Sequence, residues 1–488
     1  MGTLVIGVTL FAATFLALRQ PYKALLVSVF LIPWAGADVD IGLRVTAYLV
    51  FIGPLFAVTL FRSLIALPQG LHLGVFWLIV AYAIVWSVCQ MAFFPSENVA
   101  GGALRQPAVR GTFQILMFLV TISPIWLVPT YVRDKAGLFK MVKAYLFSAV
   151  VLALIGWLQL SIWIATGSDP FPVGYFNSLL GGMGGERSGL FHYMGSTIYR
   201  MSSFAGEPKG LGNGLAVALL LLQAGVKLKG ALSRWIWPFL FISMVATFST
   251  SALLGWFGAT VVQLFTSSQG KLTLPRLSTD QRLARKIFLW MIPVLFLTAV
   301  ATHTLPIFEI IEMRTTARVL EGDGGALEDS NVAVLYFLLD HPLWAVTGTG
   351  LGNVHLYADS YLPDYAVRYA GDTTFVAKSG ALRWISEIGF VTLIVFMVWI
   401  ISTVNKTCKA GQKQNHHRFL ADIIGKVTLP LLALWFVSGY ISSQFFMMIG
   451  SCVALGLIIN KPQPAVATIT TPCACEMHPR PTHWRISN

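Results

Sequence analysis

Arg200, Glu207 and Lys209 carry the sharpest chemical signal in the chain. A carboxylate beside two cations can accept a proton while the cations hold an anion, and near a bilayer such a group is costly unless it is used. The competing reading is three solvated charges flanking a membrane span. The stretch that contains them, Arg200-Met201-Ser202-Ser203-Phe204-Ala205-Gly206-Glu207-Pro208, reads as an ordered segment, and Pro208 suits the first turn of a helix. Both features favour chemistry.

A second group lies in the polar interval 307–384, in a chain of which only 11% is charged. Arg314 and Arg318 can share a helix face and present two guanidinium forks to a phosphate or pyrophosphate. The competing reading pairs them with Glu312 or Glu321. Lys378 and Arg383 add cations at the far end of the interval and tilt the balance towards an anionic ligand. His341, His355, His192 and His303 are candidate bases, although a histidine beside Pro342 also serves to cap or pack a helix end. The run Gly348-Thr349-Gly350-Leu351-Gly352 lacks the Lys and Ser/Thr of a phosphate-binding loop and reads as a flexible turn.

No metal and no cofactor is expected. Glu321 and Asp323 stand among glycines without a full cation ligand set, and Cys473, Cys475, His478 and His483 lie in a tail rich in Pro and Thr that reads as disordered.

The elements that position these residues follow from hydropathy. A chain of 488 residues that is 56% hydrophobic, with a mean hydropathy of +0.71, lies outside the soluble range, and its apolar runs are long enough to cross a bilayer. The expected fold is an all-α polytopic membrane protein with about thirteen transmembrane helices and two large extracytoplasmic loops, the larger containing surface helices. The divisions are 1–166 for the first helices, 167–210 for the first loop, 211–303 for the central helices, 304–384 for the main loop, 385–460 for the last helices and 461–488 for a cytoplasmic tail. The start lacks a basic region and a cleavage signal, so a retained first span is expected, with the N-terminus outside and the C-terminus inside. The net charge of +13 sorts to the inner side under the positive-inside rule, which makes it a topology signal and argues against a nucleic-acid partner. Cys89 and Cys452 fall in spans, and Cys408, Cys473 and Cys475 on the inner side. The large loops therefore have no disulfide framework.

Within the main loop, Asp329/Ser330 and Pro342 bracket a helix of about three turns expected to lie along the membrane surface. A second is expected from near Lys378, through Glu387, into a span ending near Ile401.

Placed this way, the chain resembles the bacterial superfamily of O-antigen ligases and O-antigen or exopolysaccharide polymerases. Three passages carry the resemblance: the 200–208 segment, Thr247-Phe248-Ser249-Thr250-Ser251-Ala252 with its flanking spans, and Asp340-His341-Pro342 followed by the glycines to Asn353. The resemblance implies a metal-independent membrane glycosyltransferase of the inner membrane with periplasmic catalytic loops. Its donor would be an undecaprenyl-pyrophosphate-linked glycan, and its partners the lipid bilayer and a chain-length regulator or export complex. Arg200, Arg314 or Arg318 would hold pyrophosphate. Ala252 stands where the ligases carry Arg, and Lys378 where they carry His. The resemblance therefore favours a polymerase, with Glu207 as base and His341 next, and Lys209, Lys378 and Arg383 on the substrate. A ligase is the alternative within the superfamily. A lipid-linked glycan flippase is the alternative of another class, and it would place ionisable groups at mid-membrane.

Overall fold

The computed structural model describes residues 2–40, 44–65, 74–93, 107–167, 190–193, 196–226, 233–266, 329–362, 377–414 and 416–460. Arg314, Arg318, His303, the expected span near residues 287–302 and the tail lie outside them. The described chain is helical apart from two short antiparallel ribbons.

The first helices are α1 (Gly2–Arg19), α2 (Pro21–Leu31), α3 (Ala47–Ile65) and α4 (Gly74–Phe93), with the ribbon β1 (Asp38–Asp40) and β2 (Arg44–Thr46) between α2 and α3. Next come α5 (Pro107–Ile122) and α6 (Pro124–Tyr131), bent by 41° where Pro124 cannot donate to the helical ladder. The stretch is therefore a bent helix pair, not one straight helix. The helix α7 (Lys135–Thr166) is capped by Asp134, whose Oδ1 accepts from Gly137 N–H at 2.7 Å. Its first turns carry the basic residues Lys135, Lys140 and Lys143.

The ribbon β3 (Leu190–Tyr193) and β4 (Ser196–Tyr199) leads into α8 (Pro208–Gln223), α9 (Ser233–Val245) and α10 (Thr250–Phe265). The remaining helices are α11 (Asp329–Asp340), α12 (Pro342–Thr347), α13 (Val354–Ala358), α14 (Gly380–Ile388), α15 (Phe390–Lys413), α16 (Arg418–Val437) and α17 (Ser442–Asn460). α11 matches its expected bounds. α14 and α15 do not form the single helix expected from near Lys378, because Gly389 adopts φ +86° and turns the chain between them. Cys408, expected on the inner side, is buried within α15 near the end that carries Lys406, Lys409 and Lys413.

Among the described residues five helices are long and apolar enough to cross a membrane, and six if the α5–α6 pair counts as one span. Several shorter apolar helices, α2, α3, α9 and α10 among them, lie alongside. The centre is α8, whose residues from Leu211 to Leu221 are buried on every side by α7, α9, α10 and α16. A helix this apolar must be enclosed by protein or by lipid, and here protein encloses it. Outward-facing apolar side chains such as Phe11, Leu78, Ile164 and Val398 form the surface available to lipid.

Charge divides between the two ends. Arg19, Arg62, Arg133, Lys413 and Arg418 gather at one, where Arg62 Nη2 donates to Leu18 O at 2.9 Å, Tyr22 OH to Gly137 O at 3.1 Å, and Phe139 stacks on Phe419. Arg200, Glu207, Lys209, Lys378, Arg383 and Glu387 belong to the other.

Candidate functional site

Glu207 stands immediately before Pro208 of the central helix, and the segment that delivers it is held by its backbone. Tyr199 stacks on Trp163 with ring centroids 5.6 Å apart, and Met201 N–H donates to Ala246 O at 3.3 Å. Ser203 then takes φ +51°, a left-handed conformation unusual for a side chain with a Cβ, and its N–H donates to the buried Gln159 Oε1 at 2.9 Å. Phe204 stacks on Trp34 at 5.4 Å and accepts from Gly36 N–H at 3.0 Å. Gly36 and Gly206 approach so closely that a Cβ on Gly36 would meet Gly206 Cα at 2.1 Å. The segment is therefore pinned at once to α7, to the end of α9 and to the turn after α2. Glu207 occupies the cap position of α8 without spending its carboxylate on that helix. Arg200 Nε donates to Thr247 O at 3.3 Å, and Arg200, Glu207 and Lys209 are all partly exposed.

Two turns into α8 the connection to the second group begins. Asn213 Nδ2 donates to Ser438 Oγ at 2.9 Å in a buried contact, and next to it Gly439 N–H donates to Lys378 O at 2.7 Å. The N–H groups of Lys378 and Ser379 both donate to Asn331 Oδ1, at 2.8 and 3.2 Å, while Ser379 Oγ donates to Phe436 O and caps α14 through Leu382 N–H. Lys378 is thus a node where α8, α11, α14 and the α16–α17 turn meet. Its side chain is exposed.

One turn further, Arg383 Nε donates to both carboxylate oxygens of Glu387 at 3.3 Å. The arginine side chain is 42% exposed and the glutamate 4%. A carboxylate so enclosed needs a cation, and this one has it in the partly exposed Arg383. α14 is anchored behind them by Trp384, which packs 4.5 Å from Phe396 and edge-on to Trp435 at 5.5 Å.

The glycine run is a built element, not the flexible turn that its composition suggests. Gly348, Gly350 and Gly352 all have positive φ and are buried. Thr349 and Gly350 N–H donate to Ser386 O and Glu387 O at 2.7 and 2.9 Å. Tyr82 OH, Trp86 Nε1 and Ser87 Oγ of α4 bond Thr347 O, Gly348 O and Leu351 N–H at 2.7 to 2.8 Å. The turn locks the end of α14 to α4.

His341 lies at the opposite end of α11 from Asn331, roughly 15 Å away by helical rise. It is exposed, and its ring packs 5.3 Å from Phe337. Beside it Tyr361 OH donates to Asp340 Oδ2 at 2.9 Å, and that carboxylate raises the tyrosine pKa. Tyr357 donates to Gln90 Oε1, and burial pushes its pKa up to about 12.

No protein-family model and no curated protein matches the chain. The site is read from its own geometry. Arg200, Glu207 and Lys209 lie at or just before the start of α8, which is tied through Asn213, Ser438 and Gly439 to the segment that carries Lys378 and Arg383, while His341 stands at the far end of α11. Asn213 in this path and Glu387 beside Arg383 are not among the residues singled out above. The signal for Glu387 was its position four after Arg383 in a nine-residue amphipathic helix.

Proposed function

We propose that this chain is a membrane-embedded polysaccharide polymerase that joins oligosaccharide repeat units carried on undecaprenyl pyrophosphate, at the outer face of a bacterial inner membrane. The observation that supports this reading is the bonded path from Asn213 through Ser438 and Gly439 to Lys378, which ties the helix that Glu207 starts to the segment that carries Lys378 and Arg383, at the less basic end of the bundle. The positive-inside rule makes the opposite, basic end cytoplasmic. The reading includes about thirteen spans, with the N-terminus outside and the C-terminus inside.

In this mechanism Glu207 takes the proton of an acceptor hydroxyl as its oxygen bonds to the anomeric carbon of the donor. The carbon–oxygen bond to pyrophosphate breaks, and the lipid pyrophosphate leaves with the electron pair. Arg200, Lys209, Lys378 and Arg383 stabilise the charge that develops on it, with Arg314 and Arg318 as further candidates. Pyrophosphate is already a good leaving group, so one base and a set of cations suffice.

The test is the lipid-linked glycan profile of a deletion strain complemented with wild type, Arg200→Ala or Glu207→Gln. Single repeat units accumulating on the carrier in the deletion and in both variants support a polymerase. Long lipid-linked chains would make it a ligase, and units trapped on the inner leaflet a flippase. Full activity in both variants would remove Arg200 and Glu207 from the site.

A further inference from the structure

We propose that α11 and α12 form an interfacial unit whose outer face, Leu335, Tyr336, Leu339, Leu343 and Val346, is immersed in the lipid of one leaflet. The inference is independent of the glycosyl-transfer reading.

It begins with the sequence of α11. Between Asn331 and Asp340 only Tyr336 carries a polar atom, its phenol hydroxyl, so the helix is apolar over most of its surface. One face packs inward, with Val334, Phe337 and Leu338 against Val354, Ala358 and Ala377. The other is uncovered: Leu339 is 65% exposed, and Leu343 continues the stripe onto α12 at 70%. A contiguous stripe of large aliphatic side chains is costly to leave in water and marks a surface that meets an apolar environment. Twelve residues rise only about 18 Å against a hydrocarbon core of roughly 30 Å, so α11 cannot cross and must lie within one leaflet.

The surface it joins identifies lipid as the occupant. Tyr82 and Trp86, stacked with centroids 6.3 Å apart, tie the end of α12 to α4 through Thr347 O and Gly348 O. On the other side Gly389, which starts α15, lies so close to Val346 that an added Cβ would meet Val346 O at 2.2 Å. The outward faces of α4 and α15, with Leu78, Val85, Phe390 and Val391 exposed, belong to the apolar surface of the bundle, and α12, packed against α15, sets the stripe beside it. Tyr and Trp with polar tips on backbone carbonyls are the residues that mark the headgroup level. Asp340, bonded to Tyr361, keeps the charged end at the water side.

The experiment attaches an environment-sensitive NBD fluorophore to Leu339→Cys and Leu343→Cys in the full chain reconstituted in liposomes. Ser360→Cys, also exposed, serves as comparison, and unlabelled-site background comes from identically treated parent protein. Phospholipids brominated at shallow acyl carbons should quench both stripe positions at least about threefold more than aqueous iodide does, with the order reversed at 360, for a face seated about 5–10 Å below the headgroups. Iodide quenching at 339 and 343 equal to that at 360 would overturn the proposal in favour of a water-facing stripe. Protection from both quenchers would overturn it in favour of a protein cover, a second copy included. None of these results depends on glycan turnover, so failure here leaves the activity reading standing, and the reverse.

Discussion

Around Glu207 the chain is held by its backbone, whereas around Arg383 it is held by a side-chain ion pair and an aromatic hub. The first region uses a left-handed serine, two touching glycines and two aromatic stacks to fix a turn. Its charged side chains are mounted on that frame, with Arg200 Nε bonded to Thr247 O. The second region builds a charge into its own packing, since Glu387 is buried and Arg383 is its ion-pair partner. A group mounted on a rigid backbone can be exchanged at little cost in stability. A group that is also a packing element cannot.

The largest expected effect comes from the hub. Trp384→Ala removes a ring packed on Phe396, Trp435 and Phe446 and should cost about 3–5 kcal/mol, read as a lowered unfolding temperature in detergent. Next is the ion pair. Arg383→Ala leaves the Glu387 carboxylate enclosed without its cation and should destabilise by about 1–3 kcal/mol, tempered by the half-exposed guanidinium, while Glu387→Gln should cost less. If Arg383→Ala proves as harmless to stability as Glu207→Gln, the contrast between the regions collapses. On the backbone side, Gly36→Ala drives a methyl into Gly206 and should cost about 1–3 kcal/mol, with loss of product formation because Glu207 moves with the turn. Retained activity at a lowered unfolding temperature would show that Glu207 is not positioned by this contact. The smallest effect is a gain: Ser203→Gly relieves the positive φ and removes a buried hydroxyl without a partner, raising stability by up to about 1 kcal/mol. A simultaneous fall in activity would mean that the turn's strain is part of the site.

What could be read from the sequence follows how local each determinant is. Helices such as α8 and α11 were legible because Pro208 and the Asp329/Ser330 pair mark their starts and the apolar runs fill the rest. The division of charge between the two ends was legible for the same reason. The break at Gly389 was not, because a single glycine within an apolar run does not say that the chain turns. The glycine turn was misread for a deeper cause: its partners Trp86 and Ser87 lie some 260 positions away, so nothing near residues 348–352 reports that the turn is enclosed. Glu387 was passed over because a glutamate beside an arginine looks like a surface pair, and only tertiary packing makes it a buried one. The short ribbons, three or four residues per strand, are too brief to leave a pattern.

α7 has a consequence of its own. Its 32 residues rise about 48 Å, well beyond the roughly 30 Å of hydrocarbon, and its first turns carry Lys135, Lys140 and Lys143 while its last delivers Trp163 to the stack under Tyr199. The helix is a rigid gauge between the basic end and the Glu207 turn. Hydrophobic mismatch in a thinner or thicker bilayer must be met by tilting this gauge or by deforming the lipid around it, and a tilt carries the Glu207 turn with it. Bilayer thickness thereby becomes a variable that acts on the site without any ligand.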